Sequence, residues 1–258
     1  MNITIKTKED IKNLREGGRR LAEIVEKLAR AVHPGVSSLE LNALAEKLTR
    51  EGGDEPAFLN YKPYGAAKPY PASLCVSIND EVVHGIPNSK EKILKEGDVV
   101  SLDMGLKHKN LFTDMAVTVA VGKIDPETQK LLDVTRESLE RGIAAAKAGA
   151  RVGDISYAVE SFIKSSGAYG IVEELAGHGV GYKVHEDPYV PNFGKKNIGP
   201  VLKAGMVIAI EPMVNLGTKK VVLDEDGFTY KTADGKPSAH FEHTVAITEK
   251  GAEVLTIL

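Results

Sequence analysis

Four acidic residues occupy matching places in two copies of one sequence pattern. Leu94–Asp103 reads Leu-Lys-Glu-Gly-Asp-Val-Val-Ser-Leu-Asp, and Leu202–Glu211 reads Leu-Lys-Ala-Gly-Met-Val-Ile-Ala-Ile-Glu. Both blocks end in a carboxylate. Each is followed by a β-branched stretch that opens with another, Asp114 in the first copy and Glu242 in the second. Alternate residues of a strand share a face. Asp103 therefore lies with Ser101 and Val99, Asp114 with Ala116 and Thr118, Glu211 with Ala209 and Val207, and Glu242 with Thr244 and Ala246. Val100, Leu102, Val117, Val119, Ile208, Ile210, Val245 and Ile247 take the opposite face. The small neighbours are expected to leave room above the sheet. Four carboxylates gathered there could not all stay ionised, because like charges at short range drive protons on, and buried unpaired charge costs several kcal/mol. Two divalent cations about 3.5–4 Å apart, bridged by two of the acids, resolve the conflict and make a hydrolytic centre. Taken singly, each acid fits a solvated surface residue better; the repeated context favours the group.

One neutral imidazole would complete an oxygen-rich ligand set, which suits Mn, Fe(II) or Co better than a thiolate-rich zinc site. The chain has seven histidines. His33 precedes Pro-Gly at a helix end and reads as structural. His108, between two lysines at a hairpin turn, reads as solvated. His243 alternates to the face opposite Glu242 and is rejected as a ligand, whereas His240 shares the Glu242 face and stays a candidate. His178 sits in Gly-His-Gly-Val-Gly, where glycines let backbone approach closely; no strand-to-helix switch follows to make a phosphate loop. His84 and His185 lie in Val-Val-His-Gly-Ile-Pro and Val-His-Glu-Asp-Pro. Alone, each of these three fits a hydrogen-bonded structural role as well as a catalytic one.

The elements that must position these residues follow from periodicity. Ile11, Leu14, Leu21, Ile24, Val25, Leu28 and Val32 have helical spacing over 8–32. Ser37 opens a capping box for a helix over 38–50. Residues 54–75 read as irregular chain, 76–78 as a short strand, and 99–104 and 114–121 as alternating strands. The order then repeats: helices over 127–148 and 155–165, the second capped by Asp154, and strands over 207–211 and 241–248. Two similar halves, about 8–123 and 127–251, should pack about a pseudo-two-fold axis as a single catalytic domain spanning 1–258, of α/β (α+β) class.

The bulk numbers agree. The 258 residues are 42% hydrophobic and 27% charged with net charge −3, so a sizeable core is available and no strongly basic nucleic-acid footprint exists. The one cysteine, Cys75, excludes an internal disulfide and fits a reducing compartment. No apolar run approaches membrane-spanning length and the N-terminus has no apolar signal core. The expectation is a cytoplasmic protein with no membrane contact.

Cys75-Val-Ser-Ile-Asn79, Val83-His84-Gly-Ile-Pro87, Asp103 with Asp114, Gly177-His178-Gly-Val-Gly181, His185-Glu186, Ile210-Glu211-Pro212-Met213-Val214 and Glu242-His243-Thr244 together resemble type I methionine aminopeptidases in their short, bacterial-like form. The resemblance runs from the first helix to the last strand. It implies a pita-bread fold, two pseudo-symmetric halves whose antiparallel strands are flanked by helices. It implies two divalent metal ions, Fe(II), Mn, Co or Zn. Asp103 would chelate one, Asp114 and Glu242 bridge both, and His178 and Glu211 complete the other. It implies that a metal-bridging hydroxide attacks the peptide bond after an initiator methionine when the second residue is small. Glu211 would be the general base, His185 would stabilise the oxyanion, and His84 would position the scissile amide or carry a proton. Tyr70, Cys75 and Phe228 would take the methionine side chain. Val184, where relatives often carry a bulky aromatic, and residues 60–69 depart from the pattern and leave the pocket's shape open.

An Xaa-Pro aminopeptidase or prolidase-type peptidase of the same fold is the nearest rival, but those usually carry a further N-terminal domain, and helix one begins almost at residue 8. A non-catalytic binding protein would have lost metal ligands. The expected partners are nascent peptide N-termini, with Lys195-Lys196 and Lys219-Lys220 as a candidate basic patch for the ribosome; the chain is expected to act as a monomer.

Overall fold

Thr7 and Ser37 start the first two helices, each by a capping box in which the hydroxyl accepts from the backbone three residues on, and that residue's carboxylate returns the bond. The structure, a computed structural model, describes residues 2–62, 67–87 and 92–258. Within the 60–69 stretch singled out above, residues 63–66 therefore lie outside the described residues. In chain order the first half holds α1 (Lys8–Ala31), α2 (Ser38–Glu51), β1 (Glu55–Pro56), β2 (Cys75–Ile78), β3 (Glu81–Val83), β4 (Val99–His108) and β5 (Leu111–Ala120). Then come α3 (Pro126–Ala145), α4 (Val152–Ser166), β6 (Gly170–Ile171), β7 (Gly177–Gly179), β8 (Glu186–Val190), β9 (Val207–Ile210) and β10 (Met213–Asn215). The chain closes with β11 (Val221–Leu223), β12 (Tyr230–Thr232), β13 (Ser238–His240), β14 (Glu242–Thr248) and β15 (Gly251–Val254).

The main sheet runs β1-β4-β5-β14-β9-β7-β8, with β2 also on β4 and β15 also on β14. Its centre is the hairpin β4–β5 laid beside the pair β14–β9, every contact antiparallel. The two acid-bearing units thus become neighbours. The face opposite the acids packs on helices. Val100 and Leu102 join Leu21 and Leu28 of α1 in one core cluster, while Ile208, Ile210, Val245 and Ile247 join Leu139 of α3 and Ile155 and Val159 of α4 in another. Each such fully buried aliphatic side chain contributes roughly 1.5–3 kcal/mol. The cores thereby fix which way each strand faces, and a one-residue slip would turn the acids into the helices.

Two expectations change. Helix α4 begins at Val152, so Asp154 stands in its first turn rather than at the cap. There its carboxylate accepts from the Arg151 and Asn197 backbone N–H groups at 2.8 and 2.9 Å. His108 is not solvated. The β4–β5 hairpin is longer than predicted and turns at Lys109 and Asn110, whose φ angles of 49° and 63° suit a two-residue turn. That leaves His108 as the last strand residue, buried against α1 where Gly17 gives it room, with Nδ1 2.6 Å from Asp54 and Nε2 3.4 Å from Glu16.

Candidate active site

One row of strand partners crosses the sheet centre: Cys75 opposite Asp103, Asp103 opposite Ala116, and Ala116 opposite Glu242. Directly paired residues share a face, so Cys75, Asp103 and Glu242 project together, and Asp114, two before Ala116, joins them. Glu211 lies one residue beyond β9, whose last residue Ile210 pairs with His243, which brings it level with Glu242. His178 is the middle residue of β7. A Cβ on Gly177 would lie 2.3 Å from the Ala209 carbonyl oxygen, and one on Gly179 2.2 Å from that of Asp187. Only glycine on both sides lets this strand seat between its neighbours and turn His178 into the cleft.

The small residues beside the acids turn out to be ties as well as space. Thr244 accepts from the Asp114 N–H and donates to the Asp114 carbonyl, both at 2.8 Å. Thr118 contacts Ser101 through its hydroxyl and holds the His240 backbone by N–H and carbonyl, all at 2.8 Å. Strands are thereby pinned beneath the site at Asp114 and at His240.

None of the four acids is more than 9% exposed. Burial pushes Asp103 up to about 6 and Glu211 up to about 7. Asp114 and Glu242 are raised well above the carboxylate range, by burial first and then by their acidic neighbours. Asp103 Oδ1, Glu242 Oε1 and both ring nitrogens of His240 are buried without a hydrogen-bond partner among the described residues. Asp114, His178 and Glu242 can each aim one ligand atom at a common point, and so can Glu211, His240 and Glu242. Orphaned oxygens, like charges and converging donors fit divalent cations, which would compensate what the protein itself leaves uncompensated. His178 Nδ1 bonds the Gly179 carbonyl at 2.9 Å, so the ring proton sits on Nδ1 and the lone pair of Nε2 faces the acids; Nε2 is 3.4 Å from Glu211.

Above this floor, His84 and His185 line the same cleft of about 700 Å³. His84 follows β3 with φ of 60°, a left-handed conformation rare outside glycine and common where function stores strain. Burial, with His240 second, pushes its pKa down to about 4. His185 presents surface to solvent at the mouth, while the protein around the rest of its ring pushes its pKa down, burial first and His84 second. Its Nδ1 lies 2.8 Å from the Tyr61 hydroxyl, and its ring meets that of His178 edge-on at 4.3 Å. Beside them Phe58, Tyr70, Ala72, Cys75, Ile86 and Val184 form an apolar cluster, with Tyr61 and Phe228 packed on it. Tyr70 and Phe228 meet edge-on at 5.4 Å, and the Tyr70 hydroxyl donates to the Gly85 carbonyl at 3.0 Å.

The structure therefore gathers Asp103, Asp114, His178, Glu211 and Glu242 on the floor, and His84, His185, Tyr70, Cys75 and Phe228 around it, in one cleft. His243 turns away and bonds Thr256 at 2.9 Å. Sequence reasoning missed Phe58 and Tyr61, which lie in irregular chain without periodicity. It also missed Lys6, buried and paired with Glu186 at 2.7 Å. Glu186 in turn accepts from the Thr4 hydroxyl and from the Tyr182 and Lys183 backbone, so the N-terminal segment holds the turn that carries His185.

The sequence pattern of metallopeptidase family M24 matches residues 12–249. Methionine aminopeptidase of Aquifex aeolicus is 49% identical over the whole of both chains, and methionine aminopeptidase 1 of Bacillus subtilis is 44% identical over 98% of this chain and 99% of that one. The crystal structure of methionine aminopeptidase from Thermotoga maritima superposes with a TM-score of 0.94 at 42% identity, each chain covered in full. Prolidase from Pyrococcus furiosus superposes at 0.75 with 26% identity, covering 98% of this chain and 65% of that one. The fold is the pita-bread arrangement of mixed helices and a curled antiparallel sheet.

Proposed function

The chain belongs to metallopeptidase family M24, and we propose that it works as a methionine aminopeptidase that removes the initiator methionine from new polypeptides when the second residue is small. The observation that carries this reading is the meeting, in one cleft, of the buried acid–histidine floor and the apolar cluster around Tyr70, Cys75 and Phe228. It is supported by relatives of that name that match from end to end. The rival Xaa-Pro peptidase reading draws on a neighbour of lower identity whose chain extends well beyond this one.

Asp103, Asp114, His178, Glu211 and Glu242 are the residues that would hold two divalent cations, from Fe(II), Mn, Co or Zn. Bound there, such ions would lower the pKa of a coordinated water towards ~7, polarise the peptide carbonyl and engage the substrate's free α-amine. Glu211 is the general base: its buried carboxylate takes a proton from the attacking water and passes it to the leaving amine. His185 donates to the carbonyl oxygen as negative charge develops there, and His84 orients the scissile amide. Methionine, unbranched and polarisable, suits the aromatic pocket, where its sulfur can meet the ring edges of Tyr70 and Phe228.

New polypeptide N-termini are the partners this chemistry needs. Contact with the ribosome would rest on the lysine pairs, of which Lys219 is engaged by Glu173 at 2.7 Å and Lys196 lies over the Tyr157 ring at 4.6 Å. Among the described residues no helix is long and apolar enough to cross a membrane. The test is release of free methionine from Met-Ala-Ser by metal-free protein titrated with single divalent ions, beside a panel of Xaa-Pro peptides. Turnover confined to the methionine peptide is expected; turnover confined to the proline peptides would overturn the assignment.

A further inference from the structure

We propose that His240 is a further metal ligand, its Nε2 joining Glu211 and Glu242, so that the centre holds two imidazoles rather than one. This rests on the metallopeptidase reading and goes beyond its five-residue ligand set.

His240 is 1% exposed, and neither ring nitrogen has a hydrogen-bond partner among the described residues. Leaving such groups unsatisfied inside a protein costs roughly 1–3 kcal/mol, so the ring is either a defect or a donor awaiting an acceptor. Its surroundings point to the second. Nε2 lies 3.5 Å from Glu211 Oε2 and 4.0 Å from Glu242 Oε2. These gaps are long for hydrogen bonds but suit neighbouring ligands of one ion: donors about 2.1 Å from a tetrahedral centre lie roughly 3.4 Å apart. The two oxygens of Glu211 face different histidines, Oε1 towards His178 at 3.4 Å and Oε2 towards His240. Glu242 is common to the two groups of converging donors, one with Asp114 and His178 and one with His240 and Glu211. His240 therefore approaches the floor from the Glu211 Oε2 side, whereas His178 approaches it from the Oε1 side.

The ring is also held in place. Thr118 fixes both the N–H and the carbonyl of residue 240, and β13 pairs with β10 through His240 and Met213. A second imidazole would make the donor set richer in nitrogen and shift its preference from manganese towards cobalt and zinc.

The experiment is cobalt K-edge X-ray absorption on metal-free protein loaded with two equivalents of Co(II), for the wild type and His240→Gln, with calorimetric titration of Co(II) into each. The expected result is about one imidazole per cobalt in the wild type and about half that in the variant, with the first Co(II) bound at least about tenfold more weakly. About half an imidazole per cobalt in the wild type would overturn the proposal, and that count needs no variant to fold. So would a wild-type count of about one that His240→Gln leaves unchanged, since the second ring would then belong to another histidine. Failure to take up cobalt at all would instead remove the metallopeptidase reading, and this proposal with it.

Discussion

Asp103, Asp114 and Glu242 stand on strands paired within the main sheet, whereas His84, His185 and Tyr61 stand on irregular backbone above it. The floor is placed by strand alternation, antiparallel register and apolar faces buried on helices, with Thr118 and Thr244 tying strands of the two halves. The mouth is placed by contacts between distant segments, such as Lys6 with Glu186 and Tyr61 with His185, which are 180 and 124 positions apart. The floor carries titrating groups whose charge the protein leaves uncompensated; the mouth carries imidazoles that burial keeps neutral. Binding of cations should therefore depend on the floor alone, and rate on both.

The largest effect tests that division at its base. Asp114→Asn keeps the shape and the Thr244 ties to the backbone but removes a charge. Turnover should fall by about 10³ or more, and calorimetry should find cation binding lost with it. Because burial and neighbouring acids already push the Asp114 carboxyl upward, the metal-free variant should melt no lower than the wild type. Full activity in a folded Asp114→Asn protein would break the assignment of the floor.

His185→Ala should show the opposite pattern. Loss of one donor to a developing oxyanion typically costs about 10²–10³ in kcat. Cation affinity should fall by less than about tenfold, since His185 supplies no ligand and meets the floor only through the edge of the His178 ring. Unchanged kcat would take His185 out of the mechanism; lost cation binding would show that mouth and floor are one unit.

The floor was legible in the chain because its signal is local. Period-two alternation placed Asp103, Asp114 and Glu242 on one face, and the repeated ten-residue block pointed to Glu211. The flanking glycines singled out His178, though not its tautomer. What was lost depends on closure. Tyr61 and Phe58 precede a strand in aperiodic chain, Lys6 reads as one more surface lysine, and His108 looks solvated until α1 packs over it. Thr118 and Thr244 were legible as small residues, but not as ties, because their partners lie 122 and 130 positions away. His240 stayed open for the same reason: alternation gives its face, but only the folded sheet brings Glu211 within 3.5 Å.

A smaller effect follows from protonation. In the metal-free fold Glu211 is raised to about 7, and Asp114 and Glu242 are raised well above the ordinary carboxylate range. Above about pH 6.5 the unfolded chain has released these protons while the fold retains them. Stability of the metal-free protein should therefore fall as pH rises from there through the folded values. The histidines pushed down to about 4, His84, His178, His185 and His243, are neutral in both states in that range and contribute nothing. Cations bind only the ionised acids, so cobalt affinity should rise by up to about tenfold per pH unit for each proton released. Melting curves with and without cobalt, from pH 6.5 to 8, should separate as pH rises. Parallel curves would mean that the floor is already ionised without metal.

The smallest effect sharpens the comparison most, because it perturbs the mouth by one atom. Burial raises the Tyr61 pKa, so the hydroxyl stays protonated at neutral pH and is free to donate to His185 Nδ1, 2.8 Å away. Stabilising the oxyanion needs the His185 proton on Nε2, and with Tyr61 as the donor the bond selects that tautomer. Tyr61→Phe keeps the ring contact at 5.3 Å but lets the imidazole proton distribute between both nitrogens. A hydrogen bond of this kind contributes about 1 kcal/mol, which corresponds to about a fivefold loss of kcat. KM, the metal-free melting temperature and cobalt affinity should all hold, since the aromatic packing and the floor are untouched. A fall in KM-dependent binding alone would make Tyr61 a wall of the methionine pocket and nothing more. A fall in cobalt affinity would show that orienting one imidazole at the rim reaches the acids below, and the two regions would then have to be treated as a single coupled site.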